Sequence, residues 1–543
     1  MASSIWEPGV DVTDSELREI LQSNAEAGHG AGYVAYDQDL GYAEGTVGSA
    51  IKKNAQDIND IVLGATTGYT PITQFGAVGD GVTLNDAAFA AAFAETDRIY
   101  LPNPEVAYLV SQPINIPSSN IKILGESRLL TKIRINNSSL PAILIGNNLE
   151  NVELINFRIE RSVAATSTGS GIDCTGISTG HTFRELDILG QWNGMTLGET
   201  EAGQIIGCHV FDNYGNGIKQ ASGGGSNLVW DIRDSRVYQN NGNGIDIEGV
   251  GAATDVILGG IDNVYSVYNA GYGLAAVGQS TKRLNSLRLS GGAFSFNGNH
   301  GVYLNTYGAR HRITEISANL QGSVGTGINR ATTASVAGNG INASVNNLEM
   351  NIVGCVASQN AYSGMNVAAN LVTITGNTCT DNGTNTGAAA EQRAGLRLAT
   401  GRIIAQANVL TNRVAGAGTQ QVGIHLTDGV NCVIEGNNVA GNVANAIVLA
   451  GTSTTNRITG NPGYNPTAMD TVTPGASPWT YTAGPTPEDL YVKGGTISLI
   501  VSESQTLATA AVAATLYHLI PLSPNQAVTI TYSAAPTVLR KKK

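Results

Sequence analysis

An apolar residue that directly follows a turn returns at regular intervals through the middle of the chain. Aligned on it, Met195, Ile218, Ile245, Leu274, Val302, Ile328, Met365, Leu396, Ile424 and Ile447 are separated by 23, 27, 29, 28, 26, 37, 31, 28 and 23 residues. A period of that size predicts a solenoid. Short alternating segments such as Leu228–Ile232 and Val256–Leu258 fill each unit, and no segment keeps a helical period, so the units are stacked strands. The Leu-x-x-Leu-x-Leu frame of leucine-rich repeats is absent. An Asn stands five residues before the apolar position in six units: Asn213, Asn240, Asn269, Asn297, Asn360 and Asn442. Asn tolerates left-handed backbone and can hydrogen-bond along a stack of identical neighbours. A Gly just before the apolar residue, as at Gly217, Gly244 and Gly273, allows a sharp turn. This column describes the scaffold; it is not a site. Together these patterns predict an all-β parallel β-helix over residues 148–461.

Patterns differ on either side. Residues 1–70 hold two amphipathic helical stretches, Leu17–Leu21 after Thr13-Asp14-Ser15-Glu16 and a narrow one through Val47, Ile51, Ile58, Ile61 and Val62. Residues 71–147 open with Phe75-Gly76-Ala77-Val78-Gly79-Asp80-Gly81-Val82-Thr83, then a helix over Asn85–Glu95 capped by Asn85 or Thr83, with Phe89 and Phe93 on one face, then a strand at Ile99–Leu101 before Pro102. After Asn461 the period breaks. Prolines mark a linker-like stretch, and Thr496–Val501, Ala511–Leu519 and Val528–Tyr532 read as strands of a β-rich cap over residues 462–543. Arg540-Lys541-Lys542-Lys543 read as a solvated tail.

The stretch from Phe75 to Pro102 resembles the opening of pectate-lyase-like β-helices, especially those of bacteriophage tailspikes that depolymerise polysaccharides. Leu84-Asn85-Asp86 departs from the paired acids usual in that family. The resemblance implies a right-handed β-helix, a homotrimer, and a virion tail protein made in the host cytoplasm. It also implies that residues 1–70 attach to the phage tail or an adaptor protein, and that the ligand is a bacterial surface polysaccharide. Gly463-Tyr464-Asn465-Pro466 and Ser477-Pro478-Trp479-Thr480-Tyr481-Thr482 likewise resemble tail-protein endings.

Composition narrows the partners. The 543 residues carry 13% charged and 6% aromatic side chains, 67 Gly, and a net charge of −12. That field argues against nucleic acid as the main partner, although a local basic cleft can still hold an acidic polysaccharide. No apolar run suits membrane insertion, and no basic-then-apolar leader pattern is visible. Cys174, Cys208, Cys355, Cys379 and Cys432 are scattered without metal-ligand or disulfide spacing and read as buried thiols. No metal or cofactor motif is present.

The register selects the candidate chemistry. If Ile218, Ile245, Leu274 and Val302 face inward, then Lys219 and Ala221, Asp246 and Glu248, Ala275 and Val277, Tyr303 and Asn305 face outward on consecutive rungs about 4.8 Å apart. Asp246 and Glu248 then stand about 6.6 Å apart along one strand. Two carboxylic acids at that spacing suit glycosidic hydrolysis, one giving a proton to the leaving oxygen and the other activating water or attacking the sugar. The alternative is a solvated acidic face. Lys219, Tyr303, Asn305, Tyr307, Arg310 and Trp230 are the candidate substrate-binding residues. The run Tyr307-Gly308-Ala309-Arg310-His311-Arg312 suits an acidic sugar or the carboxylate neutralisation of a polysaccharide lyase; it also reads as an ordinary basic loop. Trp192, Tyr268 and Tyr272 are further stacking candidates. Glu199, Glu201, Asp212, Asp231 and Asp234 read as turn or strand-end acids. A non-catalytic binding fibre of the same fold remains an alternative to the enzyme.

Overall fold

The computed structural model describes residues 68–543 apart from 167, 223–226, 250–254, 322–337, 400, 454, 466, 485, 504 and 509–515. The helical stretches expected within residues 1–62 lie outside the described residues. Strands of three or four residues dominate, as β-branched runs punctuated by Gly and Asn require. They stack into three parallel sheets: sheet A with 17 strands, sheet B with 8 strands continued by bridges into 3 more, and sheet C with 13. The result is a parallel β-solenoid of about 13 turns.

Sheet C carries the apolar column. Met195, Ile218, Ile245, Leu274 and Val302 pair rung on rung. After Val302 the column passes to Ile341 and then Met365. Ile341, not Ile328, fills that rung; Ile328 lies outside the described residues. Three earlier rungs, at Ile114, Ile143 and Ile172, extend the stack toward the N-terminus. Every one of these inward side chains is buried, each contributing about 1.5–3 kcal/mol by leaving water.

The Asn column is a continuous ladder. Asn213 Nδ2 donates to Asn240 Oδ1 at 2.8 Å, Asn240 to Asn269 at 3.0 Å, and Asn269 to Asn297 at 3.1 Å. Gln321 takes the next step and Asn360 follows, bonded to Asn382 at 2.9 Å. The left-handed residue is not the ladder Asn but its predecessor: Asp212, Gln239, Tyr268 and Phe296 have φ of 51°, 56°, 58° and 58°. Each turns the chain so that the following amide points inward. A second ladder, Asn377–Asn408–Asn437–Asn461, lines another corner. Cys208 and Cys355 occupy earlier steps of that corner, and all five cysteines are buried and outside any disulfide.

The helix spans Asp86–Glu95. Asn85 does not cap it with its side chain; its Oδ1 accepts from the Val78 N–H at 2.7 Å and its Nδ2 donates to Thr83 and Leu109 carbonyls. It pins the preceding turn instead. Phe89 and Phe93 do lie together, 6.5 Å apart. After Asn461 two four-stranded antiparallel sheets enclose a second core around Leu490, Ile500, Ile520 and Ile530. Strands Thr496–Ser502 and Ala527–Ala534 lie where the sequence places them, and a third runs over His518–Leu522. The basic C-terminus is not a solvated tail. Thr537–Lys542 pairs with Glu488–Lys493 and Asp470–Val472, Arg540 pairs with Asp470, and Lys543 Nζ lies 2.8 Å from Asp489. Acids on the partner strands draw the cations into the sheet.

Candidate active site on sheet C

Strand Ile245–Gly249 lies between Ile218–Ser222 and Leu274–Val277, so the outward residues Lys219, Asp246, Ala275 and Tyr303 stand in one column. Glu248, Val277 and Asn305 form the column beside it. Asp246 is only 7% exposed. Its carboxylate accepts from Asn216 Nδ2 and Asn243 Nδ2, each at 2.9 Å. Burial raises its pKa above the usual carboxylate value; the Asn243 bond and Lys219 oppose the rise, and the charge of Glu248 adds to it. Lys219 Nζ lies 3.1 Å from Glu248 Oε2 and compensates that carboxylate.

Asp246 and Glu248 leave the same strand on the same face, two residues apart. The Asn216 and Asn243 amides hold Asp246, while Lys219 pairs with Glu248. Burial favours the protonated form of Asp246.

The next rung is small. Ala275 leaves a step between Asp246 and the Tyr303 ring, which stacks on Tyr272 at 5.0 Å and lies 5.7 Å from His300. Burial lowers the His300 pKa to about 4, so this imidazole is neutral at neutral pH. His300 Nδ1 accepts from the Asn339 N–H at 2.9 Å, and its Nε2 lies 2.7 Å from Asn342 Nδ2. The column continues through Asn342, Asn366, Arg397 and His425. Asn366 donates to Asn342 at 2.8 Å and Arg397 donates to Asn366 at 3.3 Å. From Lys219 to His425 this polar column crosses eight rungs, about 34 Å at the strand spacing.

The other expected site residues separate. Asn305 stays on the sheet C face and accepts from Ser344 and Asn346 at 2.7 and 2.8 Å. Tyr307 and Arg310 lie round the corner toward sheet A, both with left-handed backbone, and Arg310 pairs with Glu349 at 3.6 Å. Trp230 is not a sugar platform. It is 1% exposed, its indole stacks on Phe183 at 5.4 Å, and its Nε1 donates to the Gly198 carbonyl at 3.0 Å. Its strand turns that side chain into the core. Tyr268 is exposed but stacks on Phe296 at 4.7 Å, away from the acids. Asp212 and Asp234 hold left-handed turns, and Asp231 pairs with Arg233 at 2.8 Å. Among the described residues no group of acids, His or Cys is placed to hold a metal ion.

Tyr272, a stacking candidate from sequence, joins this wall; sequence does not point to His300 beside it, nor to Asn342, Asn366, Arg397 and His425 further along. Three of these were recoverable, since Asn366, Arg397 and His425 each directly follow an aligned apolar residue. Asn342 was hidden by the displaced rung at Ile341.

No family model matches the chain, and no curated protein does. Among solved structures, the A-module of the Azotobacter vinelandii mannuronan C-5 epimerase AlgE4 is similar at 16% identity, with 72% of this chain and 100% of that chain covered and a TM-score of 0.49. The Dettilon tailspike protein is similar at 12% identity over 96% of this chain and 99% of that one, with a TM-score of 0.47. An N-terminal fragment of bacteriophage phi29 gene product 12 is similar at 14% identity over 75% and 74%, also with a TM-score of 0.47. Similarity at this level assigns no residue a role.

Proposed function

We propose that the chain binds and depolymerises a bacterial surface polysaccharide, as a tailspike does during phage adsorption. One observation carries the reading: a column along eight rungs of sheet C, polar at every step but Ala275, with buried Asp246 and half-buried Glu248 at one end and a tyrosine wall beside it. A column that long suits a polymer rather than a small molecule. Asp246, whose protonated form burial favours, gives its proton to the leaving glycosidic oxygen. Glu248, beside Lys219, accepts a proton from the attacking water or attacks the sugar. Tyr303 and Tyr272 offer an aromatic wall for a sugar ring, and Asn305 offers an amide for its hydroxyls. Attachment through residues 1–70 and a trimeric assembly belong to the same proposal and rest on the resemblance of residues 75–102.

The second reading is a binding fibre with this groove and no catalysis. The bonds the two acids already make favour it, because Asn216 and Asn243 hold Asp246 and Lys219 pairs with Glu248 within the protein. Incubation with capsule, exopolysaccharide or lipopolysaccharide separates the readings. New reducing ends support hydrolysis, whereas binding without cleavage supports the fibre. A rise in absorbance from unsaturated uronate marks a lyase instead.

A further inference from the structure

Sheet A carries a second feature that the acid pair does not use. Its outward residues Gly260, Arg288, Arg312 and Asn351 pair on consecutive rungs. Arg288 and Arg312 are therefore like charges directly opposite one another, about 4.8 Å apart at the backbone, an arrangement that destabilises a sheet unless an anion offsets it. Arg310 joins them from the corner, with φ of 64°.

The three guanidiniums line a cleft of about 600 Å³ with Glu349 as the one acid. His311, also on its wall, is buried with its pKa lowered to about 4, so it adds no charge at neutral pH. The lining carries a surplus of two positive charges in a chain whose net charge is −12.

Protein carboxylates offset this surplus poorly. Asp231 lies 3.9 Å from Arg288 but is already held by Arg233 at 2.8 Å and by the Gly260 N–H at 2.7 Å. Glu349 meets Arg310 at 3.6 Å with both side chains mostly in water, where such pairs contribute little. Arg312 pairs with none of the described residues. Between the cations the floor is apolar: Ile257 and Leu371 are 52% and 44% exposed there. Cations beside exposed aliphatic carbon suit a ligand with an anionic edge and an apolar face. A pyranose ring bearing a carboxylate has both, and the planar guanidinium takes carboxylate in a bidentate fork.

We infer that this sheet A cleft, formed by Arg288, Arg310 and Arg312, is a binding site for a carboxylated polysaccharide, distinct from the sheet C acid pair. The choice of a sugar polymer rests on the preceding reading; the demand for an anion rests on the charges alone. Placed on a separate face, the cleft holds one stretch of polymer while another lies along sheet C, which raises effective concentration without new chemistry.

Calorimetric titration of the full chain with a galacturonate hexamer tests this, beside a neutral galactose hexamer and inorganic polyphosphate. The uronate hexamer should bind, weaken as NaCl rises, and bind roughly 30-fold more weakly to Arg288→Gln/Arg312→Gln, since each lost guanidinium removes a charge-assisted bond. Failure of the acid-pair reading shows separately, as an absence of new reducing ends from polysaccharide, and leaves this binding result untouched. No binding of the uronate hexamer, equal binding by the arginine double variant, or equal binding of the neutral hexamer overturns the site. Polyphosphate binding as tight as the uronate overturns the assignment to a carboxylated sugar.

Discussion

The corner ladder and the outward column of sheet C are built from the same repeat and obey opposite rules. At the corner, Asn213, Asn240, Asn269 and Asn297 are the same residue on successive turns, each bonded to the next. On the outer face, Lys219, Asp246, Ala275 and Tyr303 differ at every step. A buried amide must find a partner, and the partner that stacking supplies is its own copy one turn away. An outward position makes no such demand, so it is free to carry chemistry. Repetition therefore marks the scaffold, and its interruption marks the candidate site.

That contrast can be broken from either side. The largest effect falls on the acids: Asp246→Asn and Glu248→Gln should each lower depolymerisation by about 10²–10⁴-fold, with thermal melting and circular dichroism unchanged. Full activity in both variants would move the site elsewhere. Next comes the ladder. Asn240→Ala strands the Asn213 and Asn269 amides and the Val210 carbonyl, and should destabilise by about 3 kcal/mol, lowering the thermal midpoint while specific activity per folded molecule stays near the parent's. A smaller effect is expected where the column narrows. Ala275→Leu fills the step between Asp246 and Tyr303 and should weaken sugar affinity roughly tenfold, measured by titration with a non-cleaved oligosaccharide.

The smallest effect is a shift in pH dependence. Burial raises the Asp246 pKa, so the proton-donating form is present at low pH and lost as pH climbs through the raised value. The stability term has the same sign: it is full below the unfolded pKa and is lost as pH rises through the folded one. Lys219 opposes the rise, so Lys219→Met should move the alkaline limb of the pH–rate profile upward, and an unmoved limb would remove Asp246 from the donor role.

Much of this design can be read from residue order. The spacing of apolar residues sets the turn length, and the Asn column fixes which side of each strand faces in. Because side chains alternate along a strand, these two patterns place Asp246, Glu248, Lys219, Tyr303 and Asn305 on one face. Period alone cannot place a long insertion, so the rung at Ile341 was assigned to Ile328, and Asn342 went unseen. Nor does alternation report on corners. Arg310 and Tyr307 follow Asn305 within a few residues, yet the chain turns between them and delivers Arg310 to sheet A beside Arg288 and Arg312. Trp230 looked available because aromatic residues serve both core and sugar; its strand's inward phase decided for the core.

What the sequence alone determined is thus the repeat, the inward and outward faces, and the acid pair, because these follow from local periodicity. The tertiary structure decided which side chains hold the pair, two amides on Asp246 and the Lys219 ammonium on Glu248. That depends on side chains a full turn of the solenoid away: Asn216, Lys219 and the Tyr272–Tyr303 wall are brought to Asp246 by stacking alone. The same stacking set three arginines against one another on sheet A, a juxtaposition that no spacing along the chain expresses.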